Sequence, residues 1–429
     1  MKWIYFLKKA IASLITIFSF FSPAEILGQD WAKTNIKETQ RVDIRDLGYP
    51  NVNEIPPNSS AISSLITARD GKIYGATSGE QSYLFVFDPA INKVRHLGKI
   101  ADQQSVHHSL LEGADGCIYI GTGKDIFKEI EISRDQLNIE TVDKSLWKDI
   151  KKYYNDYKGG HLYKYNPVAS NEKVKLPGMK SEIEDLGIPF PGNSVYALTV
   201  NHTGDQVYGI TYPDGQFFTF NIKTKNFTLV GELDKKIVFH GPERYWRSLS
   251  RALICDDSGR VYMSGTDGII NYYDPILKKI VSTQLKIPGD YYYNQFFQDY
   301  AVIEYFAKSA NGLIYGGTSD GYLFSLDTYS MKIINLGKPR ASRRLRCLTV
   351  GLDGIVYMIA GERSASKPCQ FYSFDPKSGG FQDLGLLIAD RSPYYYWRGL
   401  QFDSMTTGKD GTIFLGESER RSHLFLYIP

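Results

Sequence analysis

The sequence predicts an all-β chain folded as a seven-bladed β-propeller and closed by an N-terminal strand that completes the last blade. Three observations predict it: a strand-and-turn pattern that recurs seven times, a turn glycine that marks each copy, and a last copy that stops one strand short. The clearest copy reads Asp70-Gly71-Lys72-Ile73-Tyr74-Gly75-Ala76-Thr77, then Tyr83-Leu84-Phe85-Val86-Phe87-Asp88-Pro89, then Lys93-Val94-Arg95-His96-Leu97-Gly98. Each part alternates apolar and polar residues, as antiparallel strands do, and the parts are separated by Asp-Gly or Asp-Pro turns. Ala61 to Ala68 supplies a fourth strand ahead of them.

The turn glycines are Gly71, Gly116, Gly204, Gly259, Gly312, Gly354 and Gly411, spaced by 45, 88, 55, 53, 42 and 57 residues. The long interval holds a charged insertion, roughly Lys124 to Lys158, that lacks strand alternation and predicts a helical or irregular excursion over one face. The last copy ends after its third strand, His423 to Pro429, while Arg41-Val42-Asp43-Ile44-Arg45-Asp46-Leu47-Gly48 matches a fourth strand. Exchanging that strand between the two ends protects sheet edges and seals the ring.

Residues 29–429 therefore read as one propeller, and 1–28 as a signal peptide. Lys2, Lys8 and Lys9 precede an apolar run from Ile11 to Phe21, and the small residues Ser22, Ala24 and Gly28 follow. The run is short for a bilayer span, which needs about 20 residues. The expected address is secreted or periplasmic, without stable membrane insertion. With 50 basic and 47 acidic residues the net charge is +3, and no basic tract points to nucleic acid. Nothing in the sequence specifies an oligomeric state. Cys117, Cys255, Cys347 and Cys369 show no metal-ligand spacing; Cys347 and Cys369 fall in one blade and either pair or stay small buried thiols.

One position of each innermost strand should face the propeller axis. Eight residues before each turn glycine stand Ser63, His108, Tyr196, Arg251, Glu304, Arg346 and Asp403, all polar or ionisable among apolar neighbours. Together they offer a base, an acid and cationic clamps, more than a water-filled channel requires. At the start of the third strands His161 and His423 occupy the place held elsewhere by Tyr83, Gln216, Tyr322 and Gln370. His161 shares a blade with His108, and the two are expected to converge at one rim. Arg244-Tyr245-Trp246-Arg247 and Tyr394-Tyr395-Tyr396-Trp397-Arg398 lie in loops that lead into innermost strands, hence on one face. Aromatic faces beside guanidinium forks suit an acidic sugar, although tryptophans also plug the gaps between blades.

The Val106-His107-His108-Ser109-Leu110 stretch, Asp115 to Thr122, Gly160-His161-Leu162-Tyr163 and Val207 to Pro213 resemble the seven-bladed propeller polysaccharide lyases. That group includes ulvan lyases and the lyases that release L-rhamnose from rhamnosyl-α-1,4-glucuronate caps. The resemblance spans the whole mature chain and implies two catalytic histidines, a tyrosine and an arginine on one face. By position these are His108, His161 and Tyr196, whereas the place expected for the arginine, in the second strand of the tyrosine's blade, holds Tyr212. Arg251 from the next blade is the substitute. A related propeller group of rhamnosidases relies on a histidine near the first strand, and Pro57 to Ile62 contains none.

The expected function is β-elimination at a uronic acid of a rhamnose-containing acidic polysaccharide or oligosaccharide. His108, His161, Tyr196 and Arg251 would carry the chemistry. His107, Tyr212, Trp246, Arg247, Glu304, Arg346, Trp397 and Arg398 would contact the substrate. No cofactor is expected, and a divalent ion near His108 and His161 remains an alternative without a recognised ligand spacing. Two other readings stand beside this one: a non-catalytic glycan-binding propeller, and a glycoside hydrolase, which needs two carboxylates about 5–10 Å apart.

Overall fold

The computed structural model describes residues 37–47, 55–102, 105–124, 154–170, 182–233, 249–265, 268–290, 301–341, 343–361, 368–391, 395–419 and 421–429. The expected signal peptide, most of the insertion, Trp246 and Arg247 lie outside them. Seven four-stranded antiparallel sheets follow one another along the chain, joined by a two-stranded hairpin, Ile388–Arg391 with Tyr395–Arg398. Blade 1 runs Ala61–Thr67, Ile73–Ser78, Gln81–Asp88 and Lys93–Asp102, and its strand order repeats through blade 6. Blade 7 takes Phe402–Thr407, Ile413–Glu417 and His423–Tyr427 from the C-terminal end and Val42–Asp46 from the N-terminal end. The closing strand pairs antiparallel from Val42 opposite Tyr427 to Asp46 opposite His423.

All seven predicted turn glycines adopt left-handed backbone, with φ between 72° and 88°. A side chain is strained there, which explains why the residue recurs. Ahead of the glycine an Asp or Asn accepts the N–H two residues on, as Asp70 does from Lys72, Asn311 from Leu313 and Asp410 from Thr412. The next hairpin has its own device. Thr77, Thr122, Thr211 and Thr318 close the second strand, and each Oγ1 accepts the N–H that opens the third, from Tyr83, His161, Gln216 and Tyr322.

Burial falls from the second strands outwards. Ile73–Ser78 is buried at every position, because both of its faces meet neighbouring blades, whereas Lys93–Asp102 alternates at the rim. The seam between blades 7 and 1 is packed like the others, with Phe414, Leu424 and Leu426 against Ile62, Leu65, Phe85 and Phe87. Three second strands carry a glycine directly opposite a third-strand phenylalanine: Gly75 with Phe85, Gly209 with Phe218 and Gly316 with Phe324. A Cβ on Gly316 would lie 2.2 Å from Cζ of the fully buried Phe324. Gly316→Ala is therefore expected to cost about 1–3 kcal/mol, read as a lower urea midpoint at unchanged slope. All four cysteines are buried free thiols, the second of the two alternatives for Cys347 and Cys369.

Candidate functional site

The ring of axial positions rests on a repeated backbone irregularity. Pairing between first and second strands skips one residue between Ile62 and Ser64, Val195 and Ala197, Ile303 and Tyr305, Leu345 and Cys347, and Phe402 and Ser404. The skipped residues are Ser63, Tyr196, Glu304, Arg346 and Asp403. A bulge of this kind bends the strand and re-aims the extra side chain. His108 and Arg251 precede short innermost strands and bind the neighbouring blade instead: the His108 carbonyl accepts from the Leu198 N–H at 2.9 Å, and the Arg251 N–H donates to Ile303 at 3.1 Å.

The axial charges pair tightly. Arg251 Nη1 donates to both oxygens of Glu304 at 2.7 Å, and Arg344 Nη2 adds a bond at 3.2 Å. Arg346 Nε donates to Asp403 Oδ1 at 2.7 Å, while Gln401 Nε2 holds Oδ2 at 2.9 Å. Arg251 is 7% exposed, Glu304 1% and Arg346 3%. The guanidiniums of Arg251 and Arg344 hold the Glu304 carboxyl at about 2 against the desolvation that opposes them. Arg346 and Arg344 likewise drive Asp403 far below the usual carboxylate range. Three guanidiniums thus face two carboxylates, and this group carries one net positive charge.

His108 and Tyr196 border this network and respond differently to burial. Desolvation lowers the His108 imidazole to about 4, because Asp403 and Glu304 only partly compensate and His107 and Arg251 oppose its charge. His108 keeps some surface open, unlike its neighbours Val106 and His107. The buried Tyr196 phenol is raised by desolvation, with Arg251 pulling the other way, so it stays protonated at neutral pH. An aromatic wall supports both: His107 meets Tyr196 edge-on with centroids 5.7 Å apart, Tyr212 lies 5.3 Å from Tyr196, and Tyr305 stands 5.1 Å from His108.

The structure does not bring His161 to this group. Its Nδ1 lies 2.9 Å from Asp185 Oδ1 on the outermost strand, and its ring stacks on Tyr163 two residues along. A residue that opens a third strand sits two strands from the axis, and here the outer carboxylate takes its ring. Tyr212 is buried behind Tyr196 and also packs on Tyr154, so it is a wall residue of the axial site. Trp397 and Arg398 line a separate cleft between blades 7 and 1. Arg344 and Tyr305 were not foreseen. Arg344 had a signal in the dense run Arg343-Arg344-Leu345-Arg346, but Tyr305, one residue past an axial position, looked like an ordinary strand aromatic.

No group of three His, Cys, Asp or Glu side chains suited to a metal occurs among the described residues. Nor is any helix among them long and apolar enough to cross a membrane.

No protein-family model matches the chain, and no curated protein does. Solved structures do. A streptogramin B lyase superposes with a TM-score of 0.58 at 11% identity, over 91% of this chain and 98% of that one. An inactive virginiamycin B lyase from Staphylococcus aureus with quinupristin gives 0.57 at 9%, over 90% and 100%. The extracellular domain of BT4673 from B. thetaiotaomicron gives 0.54 at 13%, over 90% of this chain and 40% of that one. At such identities the likeness speaks for architecture, and the chain is an all-β, seven-bladed β-propeller that shares its fold with lyases and with extracellular domains.

Proposed function

We propose that the chain is a polysaccharide lyase that cleaves rhamnosyl-uronic acid linkages by β-elimination at the axial site. The observation that carries this reading is the meeting of His108, Tyr196 and Arg251 from three consecutive blades in a group with net positive charge. Arg251 would neutralise the uronate carboxylate, with Arg344 retaining Glu304, so that the C5 proton becomes acidic. His108, neutral above about 4, would take that proton. The electron pair forms the C4–C5 double bond, the C4–O4 bond breaks, and the protonated Tyr196 donates to the departing oxygen. His161, at the start of the third strand and bound to Asp185 of the outermost one, would act only by orienting a part of the substrate that runs over the rim. The sequence resemblance to propeller lyases supports the same assignment, and an acidic glycan is the partner it implies. Secretion to the periplasm or the exterior suits such a substrate.

A second reading, a glycan-binding propeller without catalysis, is favoured by the two 2.7 Å bonds that commit Arg251 to Glu304. The two separate on one experiment. Incubation with ulvan or gum arabic is expected to generate unsaturated uronate, followed by its ultraviolet absorbance. Retention of the glycan without any unsaturated product would leave the binding reading and remove the lyase.

A further inference from the structure

A second cleft is lined by none of the axial ring residues. A cleft of about 780 Å³ opens between blades 7 and 1, lined by Pro56, Pro57, Trp397, Arg398, Leu400 and Glu417, with Glu80, Glu419 and Arg421 at its sides. Its walls are connections that precede first strands or join second to third strands, so they gather on the face from which the innermost strands start. Glu417 marks the place as unusual. It stands where blades 1, 2, 3 and 5 have the hairpin threonine, and it does the threonine's work, since Oε2 accepts the His423 N–H at 2.9 Å. A threonine would suffice for that bond. Glutamate brings a carboxyl group that is 1% exposed, which costs desolvation without serving the hairpin.

The extra group has been given partners that face the cleft. Trp397 Nε1 donates to Oε1 at 3.0 Å and to Oε2 at 3.1 Å, and His423 Nδ1 lies 3.3 Å from Oε2. The Trp397 and His423 rings pack with centroids 4.4 Å apart. Burial raises the Glu417 carboxyl above its ordinary value, against the pull of His423 and Trp397. The lining sets two arginines, Arg398 and Arg421, against three glutamates, Glu80, Glu417 and Glu419, so it has no positive excess. The axial group, by contrast, has a positive excess.

We propose that this cleft binds a neutral pyranose unit of a glycan, stacked on the apolar surface of Trp397 and the two prolines and held at its hydroxyls by the Arg–Glu rim, with Glu417 and His423 fixing the tryptophan. A flat apolar floor with alternating donors and acceptors matches a sugar ring, whose faces are apolar and whose edge is hydroxylated. The lack of a positive excess favours a neutral unit over a uronate. The inference does not depend on elimination at the axis.

Native affinity electrophoresis in xyloglucan, galactomannan, glucomannan and pullulan tests it, with polygalacturonate as the acidic comparison. At least one neutral polysaccharide is expected to retard the protein more than polygalacturonate does. Trp397→Ala and Glu417→Thr should each weaken that binding by about two- to tenfold, the worth of one stacking contact. Glu417→Thr restores the cap used in four other blades, so its melting temperature is expected to stay near that of the parent. It keeps the test decisive if Trp397→Ala unfolds. His108→Ala should leave the retardation intact, which separates this site from the axial one. Equal mobility in all four neutral polymers and in gels without them would overturn the proposal, and so would retardation indifferent to Glu417→Thr.

Discussion

Replacing Glu304 with alanine is expected to destabilise the protein by about 3–5 kcal/mol, the usual cost of leaving a buried charge without its partner. Glu304 answers two guanidiniums, Arg251 and Arg344, and all three side chains are almost wholly enclosed. Removing it places two like charges side by side in a poorly solvated channel. Glu304→Gln, which retains hydrogen-bond acceptance but not charge, should fall between the parent and Glu304→Ala in urea unfolding. The same pair sets an acid limb. The Glu304 carboxyl is held at about 2, below its ordinary 4.5, so its stabilisation is complete above 4.5 and drains away as pH falls towards 2. In Glu304→Gln that part of the acid-induced loss should disappear. If both variants unfold at the parent's urea midpoint, the axial network contributes no stability.

Substitution of His108 by alanine is expected to lower kcat on the acidic glycan by about 10²–10⁴-fold, the range associated with a positioned general base, with a much smaller change in KM. Tyr196→Phe should do the same through loss of the proton donor. An imidazole lowered from 6.5 to about 4 is ready to accept a proton throughout the neutral range but is a weak base. The parent's kcat/KM should therefore fall on the acid side near 4 rather than near 6.5. The linkage has the same sense as for Glu304: unfolded His108 binds its proton first, so stability drops as pH descends from 6.5 to about 4. A kcat that survives both substitutions would place the chemistry elsewhere or remove it. His161→Ala is expected to leave kcat unchanged and to raise only KM, as befits a residue bound to Asp185 at the rim.

The blade repeat was legible because it is made of local chemistry. Asp-Gly and Asn-Gly turns require left-handed glycine, strands alternate, and second strands are apolar throughout; each of these is written within a few neighbouring residues. Counting from the turn glycine also located the axial ring, including Asp403, even though in five blades the ring residue is itself the bulged one. The count survived because the bulge recurs at the same place. It was the repeat that made arithmetic possible, not any knowledge of the backbone.

Partnership across the ring was not legible. Arg251 and Glu304 are 53 residues apart and Arg346 and Asp403 are 57 apart, so nothing local says which carboxylate meets which guanidinium. His108 and His161 share a blade, but one stands beside the axis and the other two strands out, and only the sheet order separates them. Glu417 carries no signal of its own in the sequence, and only the bonds made by the threonines of four other blades show what its backbone position needs. The chain's own spelling establishes seven blades, their turns, and the closing of the ring by Val42–Asp46. Closure of the ring then assigns the charges, because desolvation and pairing act on distances that exist only once seven sheets surround one axis.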